Sequence, residues 1–503
     1  MLGLVVFVVF ALLIAYLYHR RRAYPPGPFP LPLFGNLHVF VFFYLLWGHN
    51  VGDVMLRWKR RFGAVFTVWF GPIPFVVVAD YDVAVQTYVR DAETHSDRFN
   101  VSLFELMRES HGIIMSNGMR WLEQRRFALR VLRDFGVGKN LMQQMILREY
   151  HQAMDPLDEE LLAAGGRKKI EPRAQFLDVL AGSVINSLMV GYSFDESNIE
   201  EFREMRAAIE RGLREFNLLD FVLLNSYTKN LPLLKDRFRK VMEIQDKPLC
   251  FVMRQISNRR AEIESGKHEL DESAPRDFLD AYLLEMRRRE AADGTVGDFT
   301  EKQLAFAILD IWQAGMDTTI ATVSWAFAFL ATHPDVQEKM REELWRVVGK
   351  NRDVELSDKV LLPYSSAVVT ETYRLSALLN VNIWRQTTKE CSIGGHRVLK
   401  GTANAAMMCV IFRDESVFEK PKEFNPERFI DDKQLEQKVI PFGLGKRQCL
   451  GEGLARAEVF LTILNVIKSY RLIDEDGTVE WRKGTEFGFA RVPFQYEIAI
   501  EKA

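Results

Sequence analysis

Cysteine is scarce in this chain of 503 residues: Cys250, Cys391, Cys409 and Cys449 are the only four, and no two form a C-x-x-C pair. That is too sparse for a disulfide scaffold or a tetrahedral zinc site, and it suits a reducing compartment. Net charge is almost absent too, at −2. No global field therefore argues for nucleic acid as a partner, and any basic patch has to be local. Internal repeats and low-complexity tracts are missing, and no break in composition forces a second large domain. The body reads as mainly α with a small β-sheet region, an α+β chain.

Charge is missing altogether from residues 2–18, LGLVVFVVFALLIAYLY, and Arg20, Arg21 and Arg22 follow at once. Such a run lies at the short end of what spans a bilayer. Basic residues after the run, not before it, favour a retained signal-anchor over a cleaved signal and put the bulk of the chain in the cytosol. Residues 1–22 are thus expected to be a transmembrane signal-anchor with a basic stop-transfer. The next stretch, AYPPGPFPLPLFGN, holds five prolines between Pro25 and Pro32. It cannot be helix, and it reads as a stiff proline-rich linker over 23–36 that spaces the body from the membrane. VFVFFYLLW, Val39 to Trp47, is too short to span and reads either as core or as a patch at the lipid interface. VFTVWFGPIPFVVVAD, Val65 to Asp80, has β-branched and aromatic runs on both sides of Gly71-Pro72, a hairpin signal. Most of the rest reads as helix, including the apolar run Leu304 to Leu330, with residues 254–276 and 286–299 as exposed connections.

Four stretches could carry chemistry. AGMDTT, Ala314 to Thr319, puts glycine, an acid and two hydroxyls into the middle of that apolar helix. Threonine hydroxyls can bond back to the preceding turn and open a groove, and an acid beside a hydroxyl can relay protons; a polar surface stripe is the plainer alternative. ETYR places Glu371 and Arg374 on one helix face, and PERF adds Arg428; a solvated ion pair is the alternative to a buried network. RWLEQRRFALR sets Trp121 and Arg125 four apart, able to offer an indole N–H and a guanidinium to an anionic cofactor, or simply forming a basic amphipathic helix. In PFGLGKRQCLG, Pro441 to Gly451, the glycines Gly443, Gly445 and Gly451 free the backbone around Cys449. Lys446 and Arg447 add positive charge that favours a thiolate. An inert buried cysteine is equally compatible with this loop alone.

In this order the motifs are specific, and the chain resembles a microsomal cytochrome P450, a haem–thiolate monooxygenase, of the animal xenobiotic-metabolising type; WLEQRRFAL suggests a nematode member. F-x-x-G-x-R-x-C-x-G is matched at Phe442, Gly443, Gly445, Arg447, Cys449 and Gly451. A-G-x-[DE]-T is matched at Ala314, Gly315, Asp317 and Thr318, E-x-x-R at Glu371 and Arg374, P-E-R-F at Pro426 to Phe429, and W-x-x-x-R at Trp121 and Arg125. With the anchor and the proline hinge, the likeness covers essentially the whole chain.

The resemblance implies a cytochrome P450 fold over residues 37–503 as a haem–thiolate catalytic domain, with haem b held through an axial thiolate from Cys449. Arg125, Trp121, Arg447 and Arg385 would bind the haem propionates, Phe442 would pack near the sulfur, and Asp317 and Thr318 would deliver protons on the distal face. Ala314, Gly443 and Gly451 complete the cofactor-binding set, and Glu371, Arg374 and Arg428 would form a buried structural network. Substrate contacts would come from residues 101–114, Phe216 to Leu224, the helix before Ala314, Leu378 to Asn382 and the turn near Phe487, mostly apolar, for a lipophilic substrate. RLSALLNVNIWR departs from the pattern by lacking the proline that many relatives carry between E-x-x-R and the propionate arginine. The implied partners are an NADPH–cytochrome reductase docking on the Arg120 to Arg133 stretch and Lys446, cytochrome b5 as a further candidate, and membrane lipid. The implied location is the endoplasmic reticulum membrane, single-pass, with the catalytic domain on the cytosolic face. Two other readings are a haem–thiolate isomerase or synthase, which tends to lose the acid–alcohol pair kept here, and a non-catalytic membrane-anchored haem sensor.

Overall fold

A computed structural model describes residues 2–32, 34–39, 51–136, 140–215, 220, 223–484 and 490–503. Most of Val39–Trp47, most of Phe216–Leu224 and Phe487 lie outside the described residues. The helices that matter for the site are α1 (Leu2–Arg20), α2 (Gly118–Asp134), α3 (Asp178–Val190), α4 (Ile199–Glu215), α5 (Lys235–Glu264), α6 (Phe278–Asp293), α7 (Glu301–Thr332), α8 (Pro363–Ser376) and α9 (Glu452–Ser469). Helix dominates, with small sheets, as the residue pattern predicts. Among the described residues no helix is long and apolar enough to cross a membrane. The chain divides into two compact units.

The first unit holds residues up to Phe99, Ala367–Cys449 and Arg482–Phe494. Its five-stranded sheet runs β1-β2-β6-β5-β3, built from β1 (Val65–Phe70), β2 (Ile73–Val78), β3 (Asp97–Arg98), β5 (Arg385–Gln386) and β6 (Ala403–Ala406). The expected hairpin forms in the register Val65↔Val78 to Phe70↔Ile73, and Gly71 at φ 58° makes its turn. Phe66, Val68, Val76, Val77 and Val78 are fully buried. The proline-rich segment is docked on this sheet: Thr67 donates to the carbonyls of Pro25 (Oγ1, 2.9 Å) and Pro26 (N, 2.9 Å). Asn36 Oδ1 accepts from Trp69 N at 2.8 Å while its Nδ2 donates to Phe29 O. A Cβ on Gly35 would lie 2.2 Å from Trp69 O, so only glycine lets the chain pass there.

The second unit holds Asn100–Ser366, Leu450–Trp481 and Gln495–Ala503. Its centre is α7, 32 residues long and capped by Thr300, whose hydroxyl accepts from Gln303 N. Helix α3 crosses α7 at Gly315, where a Cβ would sit 2.8 Å from Ile185 Cδ1. Helix α9 also packs on α7. A three-stranded sheet, β4 (Arg167–Ile170), β8 (Ile498–Lys502) and β7 (Tyr470–Ile473), completes the unit. One expectation needs correction: residues 254–276 and 286–299 are not simply exposed connections. Helix α5 runs through to Glu264 and α6 through to Asp293. The buried Arg259 holds Asp277 at 2.8 Å, pairs with Asp280 and donates to Val190 O at 3.0 Å. Charged residues that neutralise one another internally look like solvent-facing polar sequence until the fold pairs them.

Candidate active site

The Cys449 loop is shaped by two left-handed glycines. Gly443 (φ 76°) and Gly445 (φ 68°) occupy conformations that side chains disfavour. A Cβ at Gly445 would lie 1.7 Å from Tyr88 O, and one at Gly443 would lie 2.6 Å from Asn382 Nδ2. Inside the turn, Cys449 N donates to Phe442 O at 2.9 Å, Gly443 N to Ile440 O at 3.1 Å and Gln448 N to Gly445 O at 2.9 Å. The Cys449 side chain is exposed and in no disulfide, whereas Cys409 is buried. That outcome removes the inert-core alternative for Cys449. Phe442 stands edge-on to Tyr373, with ring centroids 5.5 Å apart. Gly451 has open space where its Cβ would be and caps α9 through its carbonyl, bonded to Ala455 N at 2.9 Å; sterics do not explain a glycine there.

Beside this loop, in the same unit, arginines gather. Arg385 is buried and Arg447 nearly so. Arg447 Nε donates to Ser96 O at 2.5 Å, and Arg385 donates to Leu444 O with its guanidinium 4.3 Å from the centroid of the Tyr88 ring. A third was not foreseen from sequence. Arg98, 6% exposed, lies directly opposite Arg385 in the β3–β5 pair and donates to Ile383 O at 2.8 Å. Like charges facing each other across a strand pair are unfavourable, and each of these guanidinium groups donates to a backbone carbonyl. A grouping of guanidinium groups of this kind is chemically able to take carboxylates. Buried His95 adds no charge to it: burial pushes its imidazole down to about 4, with Asp91 opposing and Arg385 assisting.

The E-x-x-R motif is a fully buried network. Arg374 grips Glu371 with two bonds of 2.7 Å, and Arg428 Nε and Asn425 N add bonds of 3.2 and 3.0 Å to Oε1. Arg374 also donates to the carbonyls of Phe412 and Pro421 at 2.8 Å. The solvated-pair alternative does not hold.

In the second unit, Trp121 is buried and Arg125 half-buried on one face of α2. Helix α7 is buried along most of its length, yet Ala314 is exposed at mid-helix. Thr318 Oγ1 donates to Ala314 O at 2.7 Å and Thr322 Oγ1 to Thr318 O at 2.8 Å, the back-bonding the sequence suggests. Asp317 is not a bare acid: it pairs with Arg206 of α4, which also reaches Asp178 of α3 at 3.4 Å. That pairing lies 111 residues apart in sequence and left no local signal.

The cytochrome P450 family profile matches residues 25–499. Similar curated proteins include "Probable cytochrome P450 cyp-35D1" of Caenorhabditis elegans, 31% identical over 480 residues, covering 95% of this chain and 94% of that protein. Cytochrome P450 2A6 of Homo sapiens is 30% identical over 485 residues, covering 95% and 93%. Cytochrome P450 2U1 of Homo sapiens is 32% identical over 506 residues, covering 96% and 90%. The chain belongs to the cytochrome P450 family, whose members use haem b held by a cysteine thiolate to oxygenate organic substrates.

Proposed function

We propose that the protein is a membrane-anchored monooxygenase that inserts one oxygen atom of O2 into a lipophilic organic substrate, with electrons from NADPH passed on by a reductase. The observation that carries this is an accessible Cys449 thiol in a glycine-built loop, in one unit with the buried Arg98, Arg385 and Arg447. A single protein sulfur with carboxylate-binding arginines suits a porphyrin bearing propionates. Haem b bound through a thiolate supplies oxygen activation, because the sulfur donates electron density that favours O–O cleavage.

Cys449 would supply the thiolate, with Phe442 packing near the sulfur. Arg98, Arg385 and Arg447, in the unit that holds Cys449, would bind the propionates by charge-assisted hydrogen bonds, the task that the resemblance also gives to Arg125 and Trp121. Ala314 leaves room on the distal side of α7. Thr318 can release its bond to Ala314 O, which costs about 1 kcal/mol, to hold water and hand on a proton. Asp317, its side chain 34% exposed, carries protons from solvent to that hydroxyl. Leu378 to Asn382 and residues 101–114 contact the substrate. Helix α1, with Leu12 and Tyr16 exposed and Arg20 at its end, anchors the catalytic domain, residues 37–503, on the cytosolic face of the endoplasmic reticulum. On α2, Arg120 is paired with Asp298 and Arg130 with Glu285. The exposed Arg126 and Arg133 are therefore the charges that meet the acidic reductase and, on the same face, cytochrome b5. The intact Asp317–Thr318 pair favours monooxygenation over peroxide rearrangement.

The test is the carbon monoxide spectrum of the reduced protein. Wild type and the serine variants of Cys250, Cys391 and Cys409 give a thiolate-type Soret shift, and Cys449→Ser loses it. A histidine-type spectrum in the wild type overturns the assignment. With reductase and NADPH, turnover of members of a lipophilic panel is expected; none at all points to a sensor.

A further inference from the structure

Helix α8, which carries Glu371 and Arg374, ends at Ser376. The next residue, Ala377, is fully buried with φ 41°, a left-handed conformation that usually calls for glycine. From there the chain runs through Leu378–Asn382 to the propionate arginine Arg385, without the proline that would stiffen it. Asn382 at the far end is firmly held. Its N donates to Ala406 O at 2.9 Å, its Oδ1 accepts from Ile383 N at 3.1 Å, and its amide fills the space over Gly443 in the Cys449 loop. Midway, Asn380 O accepts from Cys409 N at 3.1 Å.

Among the described residues, the near end is held by the side chain of Arg491. Arg491, 3% exposed, donates from Nη1 to the carbonyls of Leu375 (3.1 Å) and Ser376 (3.0 Å) and from Nη2 to Arg482 O (2.9 Å). Its backbone N donates to Leu378 O at 2.6 Å. The last carbonyls of a helix have no partner within the helix and carry the negative end of its dipole, so a guanidinium there is favoured on both counts. Arg491 thus caps α8, spans the strained Ala377 and grips the first residue beyond it.

We propose that Arg491 is a positioning residue of the oxygenation reaction: it takes over the task of the missing proline, fixing the path of Leu378–Asn382 and with it the orientation of substrate. This rests on the proposal above that Leu378–Asn382 contacts substrate. A planar fork that satisfies three carbonyls at once is a property of arginine, and lysine offers only a point charge.

The test uses the full chain with reductase, NADPH and the lipophilic panel. It compares wild type, Arg491→Met, Arg491→Lys, Arg491→Met with Ala377→Gly, and Leu379→Ala. Arg491→Met is expected to keep the thiolate-type carbon monoxide band yet change product ratio or product formed per NADPH by about threefold or more, as loss of such hydrogen bonds implies. Arg491→Lys should fall between it and wild type. Ala377→Gly should recover part of the loss, because glycine adopts φ 41° without the clamp. Wild-type product ratio and coupling in Arg491→Met overturn the proposal. Loss of the band in both Arg491→Met and Arg491→Lys also overturns it, making Arg491 a folding residue. An unchanged product ratio in Leu379→Ala removes the segment from the pocket and overturns the proposal by that route. Absence of product in the wild type is instead a failure of the monooxygenase reading.

Discussion

Glu371→Gln isolates the charge of one buried carboxylate while keeping its shape. Glu371 is 0% exposed and accepts four N–H groups, two from Arg374, one from Arg428 and one from the backbone of Asn425. An amide in its place leaves two guanidinium groups buried without a counter-charge and turns an NH2 toward donors. Removing one partner of a buried ion network costs about 3–5 kcal/mol, against a typical total stability of about 5–15 kcal/mol. The variant should therefore lose about a fifth or more of the folding margin. The assay is a urea titration of variant and wild type by tryptophan fluorescence, alongside haem content at matched protein concentration. A clearly lower midpoint and reduced haem retention are expected. Adding Arg428→Met to the variant removes one stranded charge and should return part of the loss, since contacting residues are coupled by about 0.5–3 kcal/mol. A single variant within about 1 kcal/mol of wild type would refute the reasoning, because water would then have to reach these charges.

Thr318→Ala should keep haem and substrate binding but release more peroxide per NADPH consumed; unchanged coupling would remove Thr318 from proton delivery. Gly445→Ala forces a Cβ to within 1.7 Å of Tyr88 O at a left-handed φ, so the Cys449 loop cannot close, and the thiolate-type spectrum should vanish while helix content by circular dichroism persists. His95, held down at about 4 by burial, binds its proton more weakly folded than unfolded. Stability is then full above about pH 6.5 and falls by about 1.4 kcal/mol per pH unit down to about pH 4; His95→Phe should flatten that part of the stability curve, read from urea midpoints across the range. Deleting residues 1–22 should move most of the protein from the membrane pellet to the supernatant in a flotation assay.

What could be read in advance was local geometry confined to short spacings. Cys449 with its glycines, Glu371 with Arg374, Trp121 with Arg125 and Ala314 with Thr318 each fall within one loop or a helical turn or so, where residue type and geometry are linked. The hairpin around Gly71-Pro72 was legible for the same reason. Arg98 was not, because its meaning comes from facing Arg385 across a strand pair only two residues long. The Asp317–Arg206 pair and the Arg491 clamp were hidden likewise, since an arginine in isolation looks the same whether it is solvated or buried. Residues 254–276 misled in the opposite direction, for Arg259 and its aspartates read as surface until packing brings them together.

The proline-rich segment bears on how the N-terminal helix and the sheet of its own unit move. Pro25 and Pro26 are stitched to Thr67, Asn36 is locked to Trp69, and Arg20 at the end of α1 donates to Pro72 O at 2.9 Å while lying over the Trp69 ring. A rope would let the helix swivel freely. This junction is a rudder post: rotation or tilt imposed on α1 is delivered as torque to the β1–β2 hairpin. The segment therefore couples the orientation of that helix to the sheet instead of absorbing it.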